Sequence, residues 1–176
     1  MGKDEYANVL EYFPYGMSDS KDRRPSAILL TESLGLLLAS IKKDGKVEVG
    51  KKVYIGEGKR EDIHHIISRI PLSKVDEKGK ELMNEILDKK IVEDEKKFVD
   101  VINRLGPINV KLHSLELIPG IGSKTLQRVI SERVKSPFTS YDDINKRVEL
   151  QFDIRRSIRE RIISELNEAD KYRIFT

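Results

Sequence analysis

Residues 115–130, Leu115-Glu116-Leu117-Ile118-Pro119-Gly120-Ile121-Gly122-Ser123-Lys124-Thr125-Leu126-Gln127-Arg128-Val129-Ile130, restrict the backbone more tightly than any other stretch of the chain. An apolar helix end, a Pro-Gly-Ile-Gly turn and a basic helix start follow one another. Glycines at i and i+2 let the chain turn without a Cβ, so that successive amides point outward and form an anion nest. Ser123 is placed to be the N-cap of the next helix, whose free N–H groups and dipole add to the same positive end. A phosphate suits such a site. Lys124 and Arg128, four residues apart, fall on one helical face, while Ile121, Leu126, Val129 and Ile130 can turn to a core.

This stretch resembles a helix-hairpin-helix, in which backbone amides of the hairpin grip a nucleic-acid phosphate without reading bases. That motif has a small residue where this chain has Leu126. The competing reading of the same residues is a turn that only packs, or one that docks a protein.

With 176 residues the chain makes one domain or two small ones. The 33 Lys and Arg against 30 Asp and Glu leave a charge of +3, too small by itself to prove a nucleic-acid partner. Its distribution says more, because residues 75–109 are acidic and both flanks are basic. That asymmetry fits a local phosphate footprint. There is no cysteine, which excludes a disulfide scaffold, a thiolate metal site and a cysteine nucleophile. No apolar run approaches the ~20 residues of a membrane span, so a soluble, cytoplasmic protein with no membrane partner is expected.

Along the chain, 6–13 is aromatic and β-branched enough for a strand, and a polar loop over 17–25 is expected to be mobile. Residues 26–32, 35–41, 53–56 and 65–70 supply four more strands, although 34–41 would also suit a helix. Five short strands punctuated by turns predict a small closed barrel of OB or S1-like type. On it, Tyr6, Tyr12, Phe13, Tyr15 and Tyr54 are candidates for base stacking, with Arg23, Arg24, Lys51, Lys52, Lys59 and Arg60 at phosphates. Gly56-Glu57-Gly58-Lys59-Arg60 lacks the remaining glycine and the Ser or Thr of a phosphate loop, and is read as a basic surface loop. Adjacent strand residues point to opposite faces, so His64 and His65 are not expected to share a metal. Glu93-Asp94-Glu95 and Asp142-Asp143 fit helix starts better than paired catalytic carboxylates. No catalytic set, no metal site and no cofactor are expected.

Helical periodicity takes over from Pro71, with Val75, Leu82, Ile86 and Leu87, then Phe98, Val99, Ile102 and Leu105, until Gly106-Pro107 stops it. Beyond the hairpin helix, Ser140 to Leu150 reads as a capped helix. Ile154, Ile158, Ile162 and Leu166 form one stripe, with Arg155, Arg156, Arg159 and Arg161 beside or opposite it. Residues 148–153 stand where a second hairpin would be but contain no glycine, so that unit reads as structural. The apolar end Ile174-Phe175 is expected to pack back on the body.

Over nearly its whole length the chain resembles the archaeal domain of unknown function 655 family, on Tyr54-Ile55-Gly56-Glu57-Gly58-Lys59-Arg60, the segment Leu112 to Gly122, and Lys171-Tyr172-Arg173-Ile174-Phe175-Thr176. The resemblance implies an archaeal α+β protein. Residues 1–72 would form the OB/S1-like barrel, and 73–176 an all-α helix-hairpin-helix (SAM-like) domain. It also implies RNA or nucleotide binding and no known reaction. The expected function is non-catalytic binding of single-stranded RNA, in preference to DNA, by its backbone. The expected site is Gly120, Ile121, Gly122, Ser123, Lys124 and Arg128, with Lys59 and Arg60 on the barrel. The alternative is a protein–protein interaction module of an RNA-processing or ribosome-associated complex.

Overall fold

The structure, a computed structural model, describes residues 3–167 and 170–176. Its chain divides within a helix into two compact units, the first ending at Met83 and the second beginning at Asn84. Leu166 and Thr176 group with the first.

Aliphatic runs closed by turns make the five strands of the first unit: β1 (Tyr6–Phe13), β2 (Ser26–Thr31), β3 (Leu36–Ile41), β4 (Lys52–Tyr54) and β5 (Ile63–Arg69). They form one sheet in the order β4-β1-β2-β3-β5, and every neighbouring pair is antiparallel. The stretch that also suited a helix is strand, because Leu36 to Ile41 finds partners on both β2 and β5. Small residues line the inner face: Ala7, Ala27 and Ala39 sit among Val9, Leu29, Ile41, Val53, Ile55 and Ile63 in one buried cluster. The sheet curls around that cluster into a half-barrel. Ile28, Leu30 and Leu36, which alternate with it, are buried on the other face.

The closed barrel expected from the sequence is corrected, since β4 and β5 are the two edges of the sheet and are not paired. Alternating directions around the five strands leave β4 and β5 running the same way, so closure would need a parallel pairing between them, and none forms.

Of the three register shifts in this sheet, two re-aim the side chains of Glu11 and His64. Val9 pairs with Leu29 and Glu11 with Ile28, so Leu10 is the extra residue in β1. Glu11 is then buried and accepts a hydrogen bond from Asp76 N at 2.7 Å. Asp76 caps helix α1 (Glu77–Glu93), its Oδ1 accepting from Gly79 N at 2.6 Å. Burial raises the Glu11 pKa, the Asp76 amide opposes the rise, and the Asp76 charge adds to it. In β5, Ser40 pairs with His65 and Ile41 with Ile63, which makes His64 the extra residue. The expectation that the two histidines face apart fails for this reason: their Nδ1 atoms lie 2.7 Å apart, and Ser40 Oγ is 2.7 Å from His65 Nδ1. The polar loop before β2 carries its own ties, Asp22 to Arg24 at 2.7 Å and Asp19 to Lys74 at 2.5 Å. The Arg24 guanidinium holds the Asp22 carboxyl down at about 2.

The second unit takes the rest of α1, then α2 (Glu95–Arg104), α3 (Ser123–Lys135), α4 (Tyr141–Val148) and α5 (Ile154–Leu166). The buried line of α1 is Met83, Leu87 and Ile91, at i, i+4 steps, instead of the expected Leu82 and Ile86. This unit is not all-α. Gly106-Pro107 ends α2, and β6 (Pro107–Asn109) pairs with β7 (Leu112–His113) around a turn in which Asn109 Oδ1 accepts from Lys111 N.

Ser140 caps α4 through Asp143 N, and Asp142 and Asp143 occupy its first turn as expected. In the core, Phe98, Val99, Ile102, Leu115, Val129, Phe138, Ile144, Ile158 and Ile162 are buried, and the Tyr141 hydroxyl donates to Ile91 O at 2.7 Å. Burial pushes that phenol's pKa up, and the nearby Glu95 charge adds to the effect.

The arginines of α5 divide. Arg155, Arg156 and Arg159 pair with Asp153, Glu160 and Asp88 at the surface. Arg161 is 4% exposed and donates to Glu165 at 2.9 Å and Asp170 at 2.8 Å. Glu165, with no exposure, also accepts from Ile174 N and Phe175 N at 2.8 and 3.1 Å. The end segment therefore does pack back, and the Phe175 ring rests 5.7 Å from that of Phe98.

Candidate functional site

The hairpin region begins one residue before a 3₁₀ turn (Ser114–Leu117), which replaces the helix end expected there. His113 caps that turn reciprocally: its Nδ1 accepts from Leu115 N at 3.1 Å, and Glu116 Oε2 accepts from His113 N at 2.9 Å. Burial, and then the Arg133 charge, depress the His113 pKa, against a smaller upward pull from Glu116. Ile118 N donates to Leu115 O and Ile121 N to Ile118 O, both at 3.1 Å, so the chain coils directly into the turn. Buried Leu115, Ile118 and Ile121 anchor it from below.

Gly120 has φ +94°, which other residues rarely adopt, and a Cβ built on it would lie 2.8–2.9 Å from the Phe152 ring. Glycine is required there twice over. Gly122 is different: its φ of −93° and ψ of −173° are ordinary extended backbone, and a Cβ would meet nothing within 4 Å.

Gly122, not Ser123, is the N-cap of α3. Its carbonyl accepts from Leu126 N at 2.8 Å, and no side chain caps the helix. The correction follows from the extended ψ of Gly122, which starts the helical dihedrals at Ser123. Among the described residues, the amides of Gly120, Gly122, Ser123, Lys124 and Thr125 find no protein acceptor. Lys124 is exposed, and among the described residues no carboxylate pairs with it. Arg128 is committed differently, donating to Val148 O and Glu149 Oε2, each at 3.4 Å.

Those two acceptors belong to a second turn, between α4 and α5. Glu149 stands at φ 56°, ψ 54°, the left-handed conformation that glycine usually supplies at a helix C-terminus. Asp153 then starts α5, its carbonyl accepting from Ser157 N and its carboxylate from Arg155 N. The Phe152 ring against Gly120 brings this turn onto the first, and a cleft of about 520 Å³ opens beside them, walled by Lys124, Gln127 and Arg128 on α3 and by Glu149, Gln151 and Phe152 opposite. Ile121 is buried in the floor of the hairpin and does not line this cleft.

Lys59 and Arg60 belong to the first unit. Their loop folds around Tyr54: the Tyr54 hydroxyl accepts from Gly58 N at 3.1 Å, and a Cβ on Gly56 would strike its hydroxyl and ring. Arg60 Nε donates to Gly56 O at 2.8 Å and Lys42 Nζ to Arg60 O, while Lys59 is exposed. The two glycines therefore serve packing on an aromatic ring. Sequence reasoning missed Phe152 and Glu149, and the single hint was a turn-length segment lacking the glycine its geometry calls for.

Fold and site together define an α+β protein with a curled antiparallel sheet unit and a helical unit carrying a glycine hairpin with free amides. The chain belongs to the family described as protein of unknown function (DUF655), which residues 3–176 match. It is 35% identical over 175 residues to the uncharacterized protein MJ0038 of Methanocaldococcus jannaschii, covering 98% of this chain and 79% of that one. It superposes with a TM-score of 0.80 on the crystal structure of Af1531 from Archaeoglobus fulgidus, of the same family, at 37% identity over 98% of this chain and 99% of that one. Among the described residues no helix is long and apolar enough to cross a membrane.

Proposed function

We propose that this protein is a non-catalytic nucleic-acid binder that grips the backbone of a single strand, RNA in preference to DNA, at the hairpin over 118–124. One observation carries the reading: the free amides of Gly120, Gly122, Ser123, Lys124 and Thr125 stand beside an exposed lysine that no carboxylate neutralises among the described residues. Each amide is an oriented donor, and the α3 dipole adds positive potential at the same point. The helix-hairpin-helix reading of this region belongs to the proposal and is supported by the left-handed Gly120 and the tight turn into α3.

An OB/S1-like reading of the sheet unit is proposed with it. A β1-β2-β3 meander flanked by β4 supports that reading, and exposed Tyr12, Tyr15 and Lys59 are available for a neighbouring part of the strand. Backbone contacts are indifferent to sequence, so binding is expected to depend on salt more than on base composition.

Fluorescence anisotropy of labelled single-stranded RNA, single-stranded DNA and duplex DNA across a salt series tests the proposal. Lys124→Ala should weaken single-strand binding and lower the log–log salt slope by about 0.7, the value for one phosphate. An unchanged slope removes Lys124 from the site. No binding of any oligonucleotide at low salt, with a protein co-purifying instead, would establish the docking role.

A further inference from the structure

We infer that the cleft between the two turns takes one unpaired nucleobase of the gripped strand, stacked on Phe152. This rests on the proposed phosphate site, and it adds a recognition element that the hairpin itself does not contain.

The argument starts from where the ring is held. Phe152 is half-buried, and three of its ring atoms lie 2.8–2.9 Å from where a Gly120 Cβ would be, so the ring rests directly on the Gly120 backbone. A phosphate bonded to the amides around Gly120 therefore arrives with its nucleoside next to an aromatic surface fixed by packing. An aromatic ring offers a stacking face to any base. The space is adequate, since about 520 Å³ lies within the range of small-molecule sites.

The rest of the wall suits a base better than a second phosphate. Gln127 has no protein partner among the described residues, and Gln151 spends one amide hydrogen on Glu149 O at 3.1 Å, which leaves its carbonyl free to accept. These are the groups that meet base edges. Glu149 places a carboxylate in the same wall, next to Arg128, and repels another phosphate there. Cation and amides on one side with an aromatic ring and a carboxylate on the other fit a nucleotide unit of a single strand. A duplex keeps its bases stacked and presents a second charged backbone to Glu149.

The chain contains no tryptophan, so Phe152→Trp creates a single reporter in the cleft. The experiment titrates this variant with octauridylate, octaadenylate, a blunt RNA duplex and inorganic polyphosphate at fixed low salt, with anisotropy of labelled octanucleotide followed in parallel. Single strands should quench or shift the tryptophan emission in step with anisotropy, while polyphosphate and duplex leave it unchanged. Phe152→Leu, with unfolding behaviour checked against wild type, should lose about ten-fold or more in single-strand affinity while its polyphosphate binding stays the same. Octanucleotide binding that depends on Lys124 but leaves the emission of the Phe152→Trp variant unmoved would overturn the inference and spare the hairpin site, as would wild-type affinity in Phe152→Leu. If wild type binds no octanucleotide at all, the hairpin proposal itself is overturned, and the base site falls with it.

Discussion

Gly120 and Gly122 look equivalent in sequence and are opposite in energetics, which makes the pair Gly120→Ala and Gly122→Ala a sharp test of the site. At Gly120 the added methyl must accept φ +94°, worth about 1–3 kcal/mol for a residue with a Cβ. It must also push the Phe152 ring from 2.8–2.9 Å to ordinary contact, at a further ~0.5–1.5 kcal/mol for an off-rotamer ring. Loss of glycine's freedom in the unfolded chain returns about 0.4–1 kcal/mol. The net expectation for Gly120→Ala is a loss centred on about 2 kcal/mol, which at ~2–4 °C per kcal/mol for a chain of this size lowers Tm by roughly 4–8 °C. At Gly122 the backbone is already ordinary and the space is open, so only the unfolded-state gain remains, and stability should hold or rise slightly. Urea unfolding followed by circular dichroism measures both. If Gly120→Ala falls within ~0.5 kcal/mol of wild type, or if the two variants lose equally, the reasoning is refuted. Binding should run the other way for Gly122→Ala, whose methyl intrudes among the free amides: a stable protein with weakened phosphate affinity.

Glu165→Ala removes a buried carboxylate and leaves Arg161, among the described residues, with Asp170 as its remaining carboxylate partner, so a loss of about 3–5 kcal/mol is expected in urea unfolding. A loss below ~1 kcal/mol would contradict the buried-pair account. His113 has a pKa held below 6.5 in the folded state, so the folded protein binds fewer protons than the unfolded chain just beneath that value. Its contribution is complete above pH 6.5 and is lost as pH falls through the depressed folded value. His113→Asn, which can cap the 3₁₀ turn without titrating, should flatten stability over that window. An unchanged pH profile in the variant would refute the assignment.

Local chemistry was readable where local chemistry decides. The aliphatic runs at 26–31 and 36–41, the helical period after Pro71, the Ser140 cap and the turn at Gly120 all appear where the sequence predicts them. What escaped depends on partners distant in the chain. Whether β4 meets β5 is set by how the whole sheet curls, and the convergence of His64 with His65 is set by register against Ser40 and Ile41. Arg161 is indistinguishable from its surface neighbours until Asp170 and the terminal segment fold over it. At the site, the free amides and Lys124 were legible, but Ser123 lost the cap to an extended Gly122. The Phe152 wall was hidden because a side chain from another turn supplies it, and Glu149 takes a conformation that sequence reserves for glycine.

The Leu10 bulge bears on how this chain can change length. Ala7 and Val9 lie on the inner face before it, and Tyr12, opposite Ala27, lies on that same face at its exposed end after it, so the alternation of β1 is the same as if Leu10 were absent. One residue has been taken up without throwing the downstream strand out of phase. In hereditary terms the position behaves as an absorbed insertion, whose removal would delete a buried leucine but leave every later residue of the strand facing the side it faces now.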